Sequence, residues 1–352
     1  MRLEELVAGV ALLALIAYAL LGGADFGGGV WDLLVPTASG RAEEHRVAIT
    51  RAMGPVWEAN HVWLIFVIVL LFTGFPAAYT ALSVALFVPL HLALLGIVLR
   101  GAAFVFRSPG ALVAGRSPLW MHAFRAASIL TPLVLGMCLG AISAGRIRVA
   151  SGRVVSDLWR PWLAPFPVAV GVLALAVSAY LAAVYLTVET EGTVQEDFRR
   201  RALGAGAVTA VVAGVTLALA LVAAPRFWGS FTGPLDTPIV LGAVVLATLS
   251  AWAVYHRRYH LARVAAAGEV VLLLLGWGLA QYPYLIYPHL TLWQAASLPP
   301  TLRFILWTLV PGGLLLVPSL WFLFTVFKGR NPTAERAERG GPEAAGETYE
   351  AA

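Results

Sequence analysis

The sequence predicts an all-α fold, a polytopic membrane bundle of about nine transmembrane helices. Three observations lead there. Of 352 residues, 60% are hydrophobic and only 12% charged, against about 25% charged in ordinary soluble domains. The mean hydropathy is +0.81. And the apolar residues fall into runs of about 20, the length that crosses a bilayer as a helix, separated by short polar connections.

The runs cover residues 5–24, 58–79, 81–104, 122–144, 165–187, 203–224, 237–255, 265–282 and 303–327. The first passes directly into a glycine-rich stretch. Its leading residues MRLEE carry two acids against one arginine, so it reads as a retained first span and not as a signal peptide. The second and third are nearly continuous, and Gly74 and Pro76 mark the turn between them. The longer connections are 36–57, 105–121, 145–164, 188–202 and 283–302. Residues 1–330 are expected to form one transmembrane domain. The polar stretch 331–352, rich in Glu, Ala and Gly, is expected to be a disordered cytoplasmic tail.

Nine spans place the termini on opposite sides. With the N-terminus outside, sixteen Arg and Lys side chains fall on the inner side and seven on the outer. The positive-inside rule therefore puts the N-terminus outside and the C-terminus in the cytoplasm of a multi-pass cell-membrane protein. The formal charge of +5 reports on this topology and not on nucleic acid, because no basic stripe is interleaved with aromatics. Cys138 is the lone cysteine, so an intrachain disulfide or thiolate cluster is excluded.

Two segments place charge at membrane depth. In GGADFGGGVWD (22–32), Asp25 follows about twenty apolar residues and is surrounded by glycines. In AMGPVWEANHVWLIF (52–66), Pro55 suits a first helical turn, and Glu58 would lie near the positive helix end. Trp57 and His61 share one face at four-residue spacing, Glu58 and His61 are three apart, and Asn60 adds a hydrogen-bonding amide. A carboxylate in hydrocarbon costs roughly 2.5–3.5 kcal/mol and is tolerated where it faces protein or a hydrated cavity. Both acids fall in the predicted cytoplasmic half of adjacent helices. They are candidates for proton handling, against the plainer reading of interface acids satisfied by backbone donors or arginines. Glu269 reads as a structural mark at the start of its span, and Asp32, Glu43 and Glu44 as solvated.

The histidines show no metal-binding spacing, so neither a metal site nor a haem-ligand pair is read in this chain. Trp159, Trp162, Trp228, Trp277, Tyr282, Tyr284, Tyr287, Trp293 and Trp307 read mainly as an aromatic belt. QYPYLIYPHL (281–290) is denser than a belt requires. Its tyrosines could shape a quinone or lipid pocket or a stiff outer loop.

The phrases GGADFGGGVWDLL (22–34), AMGPVWEANHVWLIFVIVLLFTGFP (52–76), GWGLAQYPYLIYP (276–288) and LLLVPSLWFLFTVFKG (314–329) resemble subunit II of cytochrome bd-type quinol oxidase. The tyrosine–proline phrase is most similar to the cyanide-insensitive branch. The resemblance covers the chain to about residue 330. It implies a membrane complex that oxidises quinol and reduces dioxygen to water. A haem-bearing subunit I would carry the b haems and the d haem, or b haem alone. Subunit II would lack the principal haem ligands and support haem insertion, and in some members it lines a proton path or holds a structural quinone. One or two small single-helix subunits and membrane lipids complete the implied partners.

Under this resemblance Asp25 matches an acidic position linked to activity or haem retention. Glu58 matches one near the proton route, where the best-known members have Asp. Trp57 and Asn60 become supporting residues. Those members carry Gln at the position of His61, so no role transfers to that histidine. A cation- or proton-coupled transporter, a purely structural subunit and a subunit carrying haem itself are the competing readings. No internal repeat or midplane polar site favours the first.

Overall fold

The structure is a computed structural model that describes residues 2–35, 42–106, 118–230, 233 and 236–328; the side chains of 53–59, 104–105, 118, 230, 323–324 and 326–328 are not described. It divides into two units, 1–305 and 306–352. The second unit holds the C-terminal part of the last helix, described to Lys328. The expected tail 331–352 lies outside the described residues.

In chain order the helices are α1 (Leu3–Leu33), α2 (Ala42–Gly74), α3 (Pro76–Ala85), α4 (Phe87–Phe106), α5 (Pro118–Ser143), α6 (Pro165–Glu189) and α7 (Gly192–Ala223). There follow the short α8 (Pro225–Ser230), then α9 (Asp236–Tyr255), α10 (Tyr259–Gln281), the four-residue α11 (Leu292–Ala295) and α12 (Pro299–Lys328). The described residues also form two antiparallel two-stranded ribbons, β1 (Val149–Ala150) with β2 (Arg153–Val154) and β3 (Tyr284–Ile286) with β4 (Leu290–Thr291).

Each of the nine expected spans carries a helix. Among the described residues, seven helices are long and apolar enough to cross a membrane unbroken. The second expected span is a bent pair, Asn60–Gly74 and Pro76–Ala85, turning through 119°. The third is the shorter apolar helix Phe87–Ala103. The break falls where the sequence placed it. Pro76 has no N–H to continue the ladder and opens α3 at its first position. Two hydrogen bonds hold the bend: Ser297 donates its N–H to the Gly74 carbonyl at 2.8 Å and its hydroxyl to the Thr73 carbonyl at 2.6 Å.

Several boundaries differ from expectation. Helix α1 continues nine residues past 24, to Leu33, because its polar and glycine residues are packed against protein. The expected loop 36–57 is helical from Ala42, so Pro55 falls inside α2 and Glu58 is far from any helix start. At that depth in α2, Glu58 is not at the positive helix end that the sequence suggested. Helix α7 likewise begins at Gly192, inside the expected loop 188–202.

Helix α1 packs on α2, α5, α6 and α10, and α6 in turn on α5 and α7. Two glycines explain that crowding. A Cβ on Gly27 would overlap the carbonyl oxygen of Ser178 on α6, and one on Gly29 would overlap the hydroxyl of Ser128 on α5. Small residues let helix backbones approach where the hydrophobic effect gives no drive for association. Away from these seams large side chains face outward: Val211 is 68% exposed and Val222 86%. Outward apolar residues are what a lipid-facing surface needs.

Candidate functional site

The glycine-rich part of α1 brings Asp25 into a fully buried site, with the residue 1% exposed. Its partner is Arg100 of α4, itself 2% exposed. The Arg100 guanidinium is bidentate. Its Nη1 donates to Oδ2 of Asp25, and its Nη2 donates to Oδ1 at 2.8 Å and to the Asp25 carbonyl at 2.7 Å. The Arg100 Nε donates to the Ser128 hydroxyl at 3.0 Å, which in turn donates to the Phe124 carbonyl at 2.7 Å. The rings of Phe26 and Phe124 lie 5.0 and 4.7 Å from the guanidinium carbon. Asn60 of α2 donates its amide to Asp25 Oδ2 at 2.9 Å. Four helices, α1, α2, α4 and α5, thus meet at one ion pair.

Two turns further along α1, on the same face, Asp32 makes a second such joint. It accepts from the Arg125 Nε at 2.9 Å and lies 3.9 Å from the Arg46 Nε. Asp32 is 1% exposed, which corrects the expectation that it is solvated. Helix α1 outlasts the predicted span and carries the residue inside with it. Glu43 and Glu44 are exposed, as expected.

His61 is half-buried and close enough to Asp25 to interact electrostatically. Trp57 and Glu58 stand on α2 three and two residues before Asn60. Their side chains lie outside the described residues. His45 sits inside α2, buried, with its Nε2 3.3 Å from Asp197 of α7. Glu269 is buried on α10. Nearby, the Tyr180 hydroxyl donates to Ser250 at 2.6 Å, and Ser250 donates to the Ala262 carbonyl at 3.0 Å.

The tyrosine cluster lies at the opposite end of α1. Tyr282 donates its hydroxyl to Glu5 at 3.0 Å. Glu5 precedes Asp25 by twenty residues, about 30 Å of helix. Tyr284 and Tyr287 meet edge to face with centroids 5.3 Å apart, and Arg226 lies over both rings at 4.8 and 5.0 Å. Structure therefore brings Asp25, Asn60 and His61 together and holds Tyr282, Tyr284 and Tyr287 apart from them. Among the described residues, no group of three His, Cys, Asp or Glu side chains could hold a metal ion.

Arg100 was not among the expected site residues; it is one of the sixteen inner-side basic residues of the sequence. The signal was present. Arg100 stands in FVPLHLALLGIVLRGAAFVF, with apolar residues on both sides, and an intramembrane arginine calls for an anionic partner.

A model of cytochrome bd terminal oxidase subunit II matches residues 3–327. The chain belongs to the cytochrome bd terminal oxidase subunit II family. It is 25% identical over 352 aligned residues to the cytochrome bd-I ubiquinol oxidase subunit 2 of Escherichia coli K12, covering 89% of this chain and 91% of that one. With the cytochrome bd ubiquinol oxidase subunit 2 of Bacillus subtilis it shares 27% over 231 residues, 64% of this chain and 66% of the relative. In fold it is similar to a chain of the bd oxidase from Geobacillus thermodenitrificans, with a TM-score of 0.79, 24% identity, and coverage of 94% of this chain and 100% of that one. The chain is thus a multi-pass membrane subunit of a terminal oxidase of the respiratory chain, as the motifs at 22–34 and 52–76 implied.

Proposed function

We propose that this chain serves a haem-bearing subunit I in a quinol:dioxygen oxidoreductase, and that it does two separate things there. It stiffens the membrane bundle against which subunit I retains its haems, and it contributes to proton supply from the cytoplasmic side. The observation that carries the first role is the Asp25–Arg100 pair. A carboxylate gripped by both prongs of a guanidinium is fixed in place, and arginine does not give up its proton. Asp25 is therefore an anchor. Through Asn60 it also sets the register of α2 on α1.

Proton transfer falls to Glu58, two residues before Asn60 on α2. Each water formed from dioxygen takes up two protons; if they come from the cytoplasm while quinol releases its own outside, charge is separated without a pump. Trp57 and His61 support this region of α2. The N-terminus is placed outside and the C-terminus in the cytoplasm on the distribution of arginines. Haems b and d, or b alone, belong to subunit I, and one or two single-helix subunits complete the complex. A lipid or structural quinone at the aromatic outer loop would meet the exposed ring of Tyr282, whereas Tyr284 and Tyr287 already give their faces to Arg226.

The test is purification from native membranes, with partners identified by mass and reduced-minus-oxidised spectra recorded on the same sample. Co-purification with a larger haem-bearing chain and quinol-dependent oxygen uptake is the expected result. A stable, colourless chain that emerges alone would overturn the proposal.

A further inference from the structure

The bundle end where α6 passes to α7, and α9 to α10, carries arginines for which the oxidase reading has no use. Glu196 on α7 pairs with Arg199 at 2.8 Å, Arg200 at 3.8 Å and Arg257 at 3.4 Å. One carboxylate shared by three guanidiniums leaves a local excess of positive charge. Arg258 adds to it. Among the described residues it has no carboxylate partner, and its guanidinium lies over the Trp252 ring at 5.3 Å. The other acids nearby are engaged or face water. Glu189 holds Arg263 at 3.2 Å, Asp197 faces His45, and Glu191 is exposed.

The α9–α10 turn sets two of these arginines side by side. Arg257 has a φ of 60°, and the Arg258 N–H closes back on the Ala253 carbonyl at 2.8 Å. Arg257, Arg258 and His260 line a surface recess together with Gln195 and Thr187. Trp252 and Tyr255, 42% and 66% exposed, stand on the last turn of α9 below it. Beyond them the outward residues are aliphatic: Val264 is 70% exposed on α10, and Val245 62% on α9. A cationic recess, then an aromatic rim, then an exposed aliphatic face is the order of chemistry along an anionic lipid, from headgroup to acyl chain.

We propose that this recess binds the phosphate of an anionic phospholipid, with Arg257 and Arg258 holding the phosphate oxygens and the exposed faces of α9 and α10 carrying the acyl chains. A soluble phosphate would engage the same guanidiniums but would leave Trp252, Tyr255 and Val264 without a role. The inference is independent of the oxidase proposal.

It is tested by thermal unfolding of the delipidated protein, in its native complex and in a neutral detergent. The titrants are phosphatidylglycerol, phosphatidylcholine and inorganic phosphate. Phosphatidylglycerol is expected to raise the midpoint saturably, and the other two are not. Near an anionic surface each basic side chain contributes a factor of about five in affinity. An Arg257→Gln/Arg258→Gln variant should therefore need about 30-fold more phosphatidylglycerol for half-saturation. Arg258→Gln alone, at an exposed side chain with no ionic partner among the described residues, should need about fivefold more and keeps the test usable if the double variant is unstable. An unchanged half-saturation in both variants would overturn the assignment, and so would an equal response to inorganic phosphate.

Discussion

Replacing Arg100 with glutamine would leave the Asp25 carboxylate buried with only the Asn60 amide among its described side-chain donors. The change removes three hydrogen bonds to Asp25 and one to Ser128. It also removes two guanidinium–ring contacts. Charge-assisted hydrogen bonds are worth about 1.5–3 kcal/mol each taken singly. Breaking one whole buried pair costs about 3–5 kcal/mol, because the surroundings relax and the terms do not add. The ring contacts push the expectation toward the upper part of that range, so about 4 kcal/mol is predicted for Arg100→Gln. Asp25→Asn should cost a similar amount by stranding the guanidinium. The double variant removes both charges and should cost less than the two single changes together by about 2 kcal/mol or more. Unfolding of the purified complex by a denaturing detergent, followed by helical circular dichroism, measures all three. Strict additivity, with a coupling below about 0.5 kcal/mol, would refute the claim that this pair joins the four helices.

Gly27→Ala should force α1 and α6 apart, since its Cβ would overlap the Ser178 carbonyl and lie 2.7 Å from the Ala182 methyl; a loss of about 1–3 kcal/mol is expected. Gly9→Ala, with no described atom within 4 Å of the new methyl, should be neutral or slightly stabilising in the same unfolding assay. Tyr180→Phe removes the donor to Ser250 and should lower stability by about 1 kcal/mol, and no change would show that this bond contributes nothing. In the 144–164 loop, the Arg160 and Trp159 N–H groups donate to Asp157 and hold its carboxyl below the usual value of 3.8. A depressed carboxyl stabilises the fold above its unfolded value and loses that contribution as pH falls through the folded one. Loop protection from proteolysis should therefore differ between the native chain and Asp157→Ala at neutral pH, and the difference should fade below about pH 4.

Much of the architecture was legible because a bilayer imposes length and composition together. The nine apolar runs each became helix, and Gly74 with Pro76 marked the 119° bend. What composition alone could not show was where polar residues are buried against protein instead of facing water. Asp32 looked like a loop acid because the apolar run had ended. In the fold it is held by Arg125 on α5, 93 residues away. Residues 42–57 looked like a loop for the same reason, yet α2 extends through them. Hydropathy sees lipid contact, and these segments answer to neighbouring helices instead.

The candidate site was half legible. Asp25 and Asn60 were singled out from two distant motifs, and they meet at 2.9 Å. Arg100 is harder to read, because an arginine near the end of an apolar run looks the same in sequence whether it faces the inner membrane surface or a buried carboxylate. The pairing itself, over 75 residues of sequence, has no local pattern that could have announced it.

The division of labour between Asp25 and Glu58 is tested most directly by oxygen uptake normalised to bound haem, measured on the complex carrying Asp25→Asn or Glu58→Gln. Asp25→Asn is expected to lose haem while each remaining haem turns over at close to the native rate. Glu58→Gln is expected to keep its haem and turn over at least tenfold more slowly, since a positioned proton-transfer group contributes about 100-fold or more to a rate. Full haem content with slowed turnover in Asp25→Asn, or native turnover in Glu58→Gln, would contradict this division of labour.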